Sequence, residues 1–184
     1  MQRLIALEPE TTTGKSKELF NAVQSKLGMV PNMMRTMGNS PAVLNGYLSL
    51  NAALSESSIG GKLGELIALT VANANSCDYC NAAHSFIGEK LVHIPADAIT
   101  KAKEGKSDDA KIQAALDFVR ILLEKKGQVS EGDVNKVKDA GYDDAAIAEI
   151  IGHVGLNVLT NYFNNAAKVV VDFPEVSLVE TAVI

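Results

Sequence analysis

The chain has 184 residues, of which 47% are hydrophobic and 21% charged, enough apolar material to bury one substantial core and too much for a disordered tail. A net charge of −5 and the lack of any Lys/Arg cluster argue against nucleic acid or an anionic membrane as the main partner, which leaves small molecules or other proteins. The opening Met-Gln-Arg-Leu-Ile-Ala-Leu turns polar without the apolar stretch of a signal peptide, so a cytoplasmic location is expected.

No run alternates as a strand would, and Gly, Pro and Ser/Asp punctuate a series of helical stretches, so the expected class is all-α. Thr12 or Thr13 caps a first helix that Gly28 ends, Pro31 opens a short one ending at Gly38, and Ser40-Pro41 begins a third that runs to about Leu54. Lys62–Asn75 is an apolar helix. Ser76 is read as the N-cap of the next, which reaches about Leu91. Pro95 opens a short helix, Ser107 caps Asp108–Lys126, and Ser130-Glu131-Gly132-Asp133 forms a variant capping box for a helix ending at Gly141. Asp143 or Asp144 then starts a long helix to about Val171, where Asp172-Phe173-Pro174 breaks it. No linker divides the chain, so residues 1–184 are expected to form a single-domain multi-helix bundle.

The long helix carries only Glu149 and Lys168 as charges between Asp144 and Asp172, so it is expected to be buried all round. Its polar residues, His153 and Thr160 with four asparagines, speak against a membrane span. With the apolar tail 173–184, this helix offers more surface than a monomer of this size covers, and a homo-oligomer is expected.

The chemistry concentrates in Asn75-Ser76-Cys77-Asp78-Tyr79-Cys80-Asn81-Ala82-Ala83-His84, which holds both cysteines and one of the three histidines. On a helix, Cys77, Cys80 and His84 share one face. In a reducing compartment such a cysteine pair is more often catalytic or metal-binding than a structural disulfide. The helix start favours a thiolate at Cys77, whereas His84 at i+4 favours one at Cys80. Glu65 is the only charged residue between Lys62 and Asp78, among apolar neighbours. A buried carboxylate needs a partner; His84 on the opposite arm of the hairpin is one, and Arg35 or Lys62 are others. A carboxylate, a histidine and a thiol in series are the parts of an activated cysteine nucleophile.

The run Glu65, eleven residues, Cys77-Asp78-Tyr79-Cys80, three residues, His84 resembles the core motif of the alkylhydroperoxidase D-like branch of the carboxymuconolactone decarboxylase superfamily. The likeness is firmest over residues 60–90 and extends more loosely to Asn157, Asn161, Tyr162, Phe163 and Asn164. It implies an all-helical subunit, assembled as a homotrimer or homohexamer, that reduces hydroperoxides without metal, haem or flavin. By that resemblance Cys80 attacks the peroxide, Cys77 resolves it as a disulfide, and Glu65 with His84 relays protons. The reductant it implies is a dithiol or a dithiol-bearing protein. Tyr79 stands where the best-known members of that branch have a histidine, which removes one proton carrier.

Two other readings compete. Cys77, Cys80 and His84 are three ligands of a zinc module whose fourth would be Glu65, Asp78, His93 or His153, none at a usual paired spacing. A lyase like the decarboxylase that names the superfamily does not depend on the cysteine pair. His93 reads as a solvated loop residue, and His153 as a core histidine bonded to a neighbour, with a place on the pocket wall as the alternative. The asparagines of the last helix read as substrate ligands or as interhelical bonds at a subunit contact.

Overall fold

Every regular element of the computed structural model, which describes residues 1–179, is a helix. In chain order these are α1 (Gly14–Leu27), α2 (Asn32–Met37), α3 (Pro41–Leu54), α4 (Gly60–Ala74), α5 (Asp78–Lys90), α6 (Ala96–Lys103), α7 (Ala110–Glu124), α8 (Glu131–Asp139) and α9 (Asp144–Ala167). The all-α class read from the sequence is the class found.

α4 is the axis of the molecule. Its sequence has no charge after Glu65, and ten of its fifteen residues are buried, so it must be wrapped on several sides. α5, α6, α7 and α9 do the wrapping. On one side Ile67, Leu69 and Val71 join Leu116, Phe118, Val119 and Ile150 in one core. The other core holds Phe20, Met33, Met37, Leu44, Tyr79 and both cysteines, with Ala72 of α4 in contact. Thr70 adds a polar tie, its hydroxyl donating to the Ala102 carbonyl of α6 at 2.7 Å. The cysteines therefore sit in packed apolar surroundings.

The capping box at Ser130 and Asp133 forms as read. Three boundaries differ. Ser107 does not cap α7: its N–H goes to Gln113 Oε1, and Asp109 takes the N-terminal amides of Lys111 and Ile112. α9 stops at Ala167 rather than Val171, because Lys168 turns left-handed (φ 50°) and Val169 N–H returns to the Asn164 carbonyl. The following Val169-Val170-Val171 is β-branched and gains little from helix. The third is Ser76, which closes α4 and does not cap α5.

Two surface features bear on assembly. α9 is not buried all round, since Ile151, Gly155, Leu159, Tyr162 and Ala166 form an exposed stripe at helical spacing. α3 carries no charge, yet Leu44 is its only fully buried residue. The tail behaves otherwise than expected over its described part. Phe173 packs on the rings of Tyr79 and Phe86, and the Val179 backbone pairs with the Asn73 side chain at 3.0 Å both ways. Residues 180–184 of that tail lie outside the described residues. No described helix is long and apolar enough to cross a membrane.

Candidate active site

The site is built on the corner between α4 and α5. Ser76 N–H bonds the Asn73 carbonyl and Cys77 N–H the Ala72 carbonyl, with Ser76 at φ 49°. This is the left-handed closing turn of α4, in a position that glycine usually fills. Ser76 thus ends one helix and does not start the next. The N-cap of α5 is Cys77 itself, whose sulfur accepts the Cys80 N–H at 3.2 Å. One residue serves as the end of the first helix's cap and the beginning of the second, and the corner is correspondingly short.

Cys77 lies outside the helix, so the three reactive groups do not share a helical face as read. The pair is still joined, as a disulfide between Cα atoms 5.4 Å apart. Its members differ in access. Cys77 is 0% exposed and Cys80 3%, and of the two only Cys80 lines the cavity beside it.

Across the corner, His84 Nδ1 lies 2.8 Å from Glu65 Oε2. Both side chains are mostly covered, 23% and 18% exposed, so the bond forms where water competes weakly. A carboxylate there accepts from Nδ1–H, and the neutral tautomer that such a bond selects has its lone pair on Nε2. Neither alternative partner is used: Arg35 pairs with Glu8, and Lys62 is exposed.

Cys80, Glu65 and His84 open on one cavity of about 340 Å³. Its wall is mainly apolar, from Met29, Met33, Leu54, Ile87, Leu156 and Phe173. Polar groups enter from α3 and α9. Burial, aided by the charge on Glu65, pushes the Tyr47 phenol up to about 12, so at neutral pH it stays protonated and can donate a hydrogen bond but not its proton. His153 also lines the cavity, its Nε2 3.2 Å from Ser57 Oγ and its ring resting on Gly64. Burial lowers its pKa, so it is neutral at pH 7; it is bonded to a neighbour as read, but it is half-buried at the cavity and not in the core.

Tyr79, between the cysteines, is buried and fixed. Its hydroxyl accepts the Met33 N–H at 3.2 Å, and burial with Asp172 alongside keeps it protonated. It supports the wall and carries no proton onward at neutral pH. Asn161 and Asn165 bond Asn75 at 3.1 and 2.8 Å and tie α9 to the corner within the chain. Asn164 alone of this set reaches a cysteine. His93 is exposed. Among the described residues no three of His, Cys, Asp and Glu are grouped to hold a metal ion, so the four-ligand zinc site has no geometric support. Sequence reading missed Tyr47, Met33 and Phe173 as site wall; each looks like an ordinary core residue until the chain folds.

No family model matches the chain, and no curated protein matches it. Solved structures do. An alkylhydroperoxidase AhpD core, an uncharacterized peroxidase-related protein from Ralstonia eutropha JMP134, superposes with TM-score 0.82 at 24% identity, covering 93% of this chain and 92% of its own. A peroxidase-related protein from Silicibacter sp. TM1040 gives 0.81 at 24% identity over 92% and 91%. The debrominase Bmp8, as a cysteine-to-alanine variant with 2,3,4-tribromopyrrole, gives 0.77 at 20% identity over 94% and 93%. The fold implied by the motif is the fold these proteins share.

Proposed function

We propose that this chain, folded as the alkylhydroperoxidase D-like proteins are, reduces organic hydroperoxides with the Cys77–Cys80 pair. One observation carries the reading: Cys80 faces a cavity that it shares with the Glu65–His84 bond, while Cys77 lies behind it, out of contact with that space.

In this reading His84 Nε2 takes the Cys80 proton while Glu65 stabilises the resulting imidazolium. The thiolate attacks the outer peroxide oxygen, an S–O bond forms, the O–O bond breaks, and the departing alkoxide takes the proton back from His84. Cys80 is left as a sulfenic acid. Cys77, whose sulfur is held by the Cys80 N–H, then attacks the Cys80 sulfur; the S–S bond forms and hydroxide leaves as water. The two thiols supply both electrons, so the cycle needs no metal, haem or flavin. A dithiol, free or on a protein, restores the pair by exchange.

The apolar wall favours a peroxide on a carbon skeleton over hydrogen peroxide. The test is consumption of cumene hydroperoxide against hydrogen peroxide with a dithiol as donor. The organic substrate is expected to have the higher kcat/KM, and Cys80→Ser to abolish turnover of both.

The same wall favours a second reading, because one of the similar structures is a debrominase with a brominated pyrrole. Two thiols also balance a reductive debromination, in which C–Br gives way to C–H, bromide leaves and the disulfide remains. Bromide release from a bromopyrrole, with no hydroperoxide consumption, would select it.

Assembly as a homotrimer or homohexamer belongs to the same proposal, supported by the exposed stripe of α9 beside the uncharged α3. A cytoplasmic setting agrees with a pair that must be reduced in each cycle.

A further inference from the structure

The relay leaves one contact to Cys80 unexplained. Asn164 on α9 is 3% exposed, and its Nδ2 donates to Cys80 Sγ at 3.2 Å and to Met33 Sδ at 3.3 Å. Its Oδ1 is buried with no partner among the described residues. Both amide donors are therefore spent on sulfur, and the acceptor on nothing. A buried unpaired carbonyl is costly, and Asn81 Oδ1 in the same corner is another; what distinguishes Asn164 is that its amide donors go to sulfur. Thioether and disulfide sulfurs are weak acceptors and offset little of that cost. A thiolate is a strong one.

Each sulfur has a donor of its own. Cys77 has the Cys80 backbone N–H, supplied by the helix start; Cys80 has Asn164, supplied from another helix. This removes the conflict between helix terminus and histidine, since the terminus serves the resolving sulfur and leaves Cys80 to be stabilised by side chains.

We infer that Asn164 is a positioning residue, whose Nδ2–H holds the ionised Cys80 sulfur against the cavity wall. The inference rests on the reading of Cys80 as the cavity-facing nucleophile. The titratable groups around that sulfur are His84 on its own helix, Glu65 on α4, Tyr47 on α3, His153 on α9, and Tyr79 with Asp172 at its back. The carboxylates oppose a thiolate and both tyrosines are neutral at pH 7. His84 shares the cavity with the sulfur, and Asn164 is the uncharged side-chain donor seen in direct contact with it.

The test reads the pH dependence of iodoacetamide alkylation in a Cys77→Ser background, where Cys80 is the only thiol and serine keeps the N-cap. Asn164→Ala is expected to raise the midpoint by about one pH unit, the scale of a hydrogen bond to a charged acceptor. Asn164→Asp, of the same shape, should raise it further by placing a like charge beside the sulfur. Asn165→Ala, which loses a bond to Asn75 and none to sulfur, should leave it in place. An unchanged midpoint in the Asp variant overturns the inference, even where the Ala variant does not fold. The readout needs no peroxide, so a chain that fails as a peroxidase but shows the shift keeps the inference and loses only the proposed activity.

Discussion

Glu65 Oε2 and His84 Nδ1 meet at 2.8 Å although they lie on different helices and 19 residues apart. The corner at Asn75-Ser76-Cys77 makes this possible by folding α5 back on α4 with almost no loop. If the bond is a proton relay, replacing Glu65 by Gln or His84 by Gln should slow thiol attack on hydroperoxide by ~10²-fold, the usual scale for a positioned acid–base group. The pH–rate profile should also lose an ionisation. Stopped-flow kinetics that are unchanged in both variants would leave the thiol activated without them.

The two sulfurs should separate by function because they separate by access. Cys80→Ser should abolish hydroperoxide consumption, whereas Cys77→Ser should stop at a sulfenic acid on Cys80 that a dimedone probe traps. Serine at 77 preserves the N-cap, so loss of fold does not confound the experiment. Label on Cys77 in the Cys80→Ser protein, with turnover retained, reverses the assignment.

His153 should make the fold sensitive to mild acid. Burial is the main cause that lowers its pKa, against the Leu54 carbonyl, Glu149 and Glu65, which act to raise it. Below about pH 6.5 the unfolded chain therefore binds this proton more readily than the folded one, and stability falls as pH drops from that value towards the lowered one. In His153→Gln the decline of Tm with acid across that window should be shallower. An identical slope would remove His153 from the account of acid stability.

At Ser76 the left-handed turn is held by a residue with a Cβ. Ser76→Gly should raise stability by ~0.5–1 kcal/mol, the relief of that conformation less the added freedom of the unfolded chain. Thermal unfolding measures it. A lower Tm would mean that the serine hydroxyl contributes more than its backbone costs.

The exposed apolar stripe of α9 should be covered in solution. Light scattering at micromolar concentration is expected to give a trimer or hexamer, and Leu159→Lys with Tyr162→Lys to shift it towards monomer. A monomeric parent chain would contradict the assembly.

Much of this was legible before folding, for reasons that differ residue by residue. Glu65 was conspicuous because a lone charge in an apolar helix requires a partner, and the spacing to His84 put that partner on the facing arm. Ser76 misled because serine is a favoured N-cap, and nothing local distinguishes that role from the closing turn of the preceding helix. α9 was read too long because apolar character continues past Ala167 and only the backbone of Lys168 records the stop. Beyond Tyr79 and His153, the wall of the cavity was not legible. Tyr47, Met33 and Phe173 come from three separate stretches, and only packing brings them to Cys80.

The most direct test of the cysteine chemistry is intact-mass and thiol analysis of the reduced chain after one equivalent of an organic hydroperoxide. The account predicts loss of two hydrogens and of both thiols under denaturing conditions, restored by a dithiol. Gain of one oxygen without disulfide formation, or two thiols still free per chain, would contradict it.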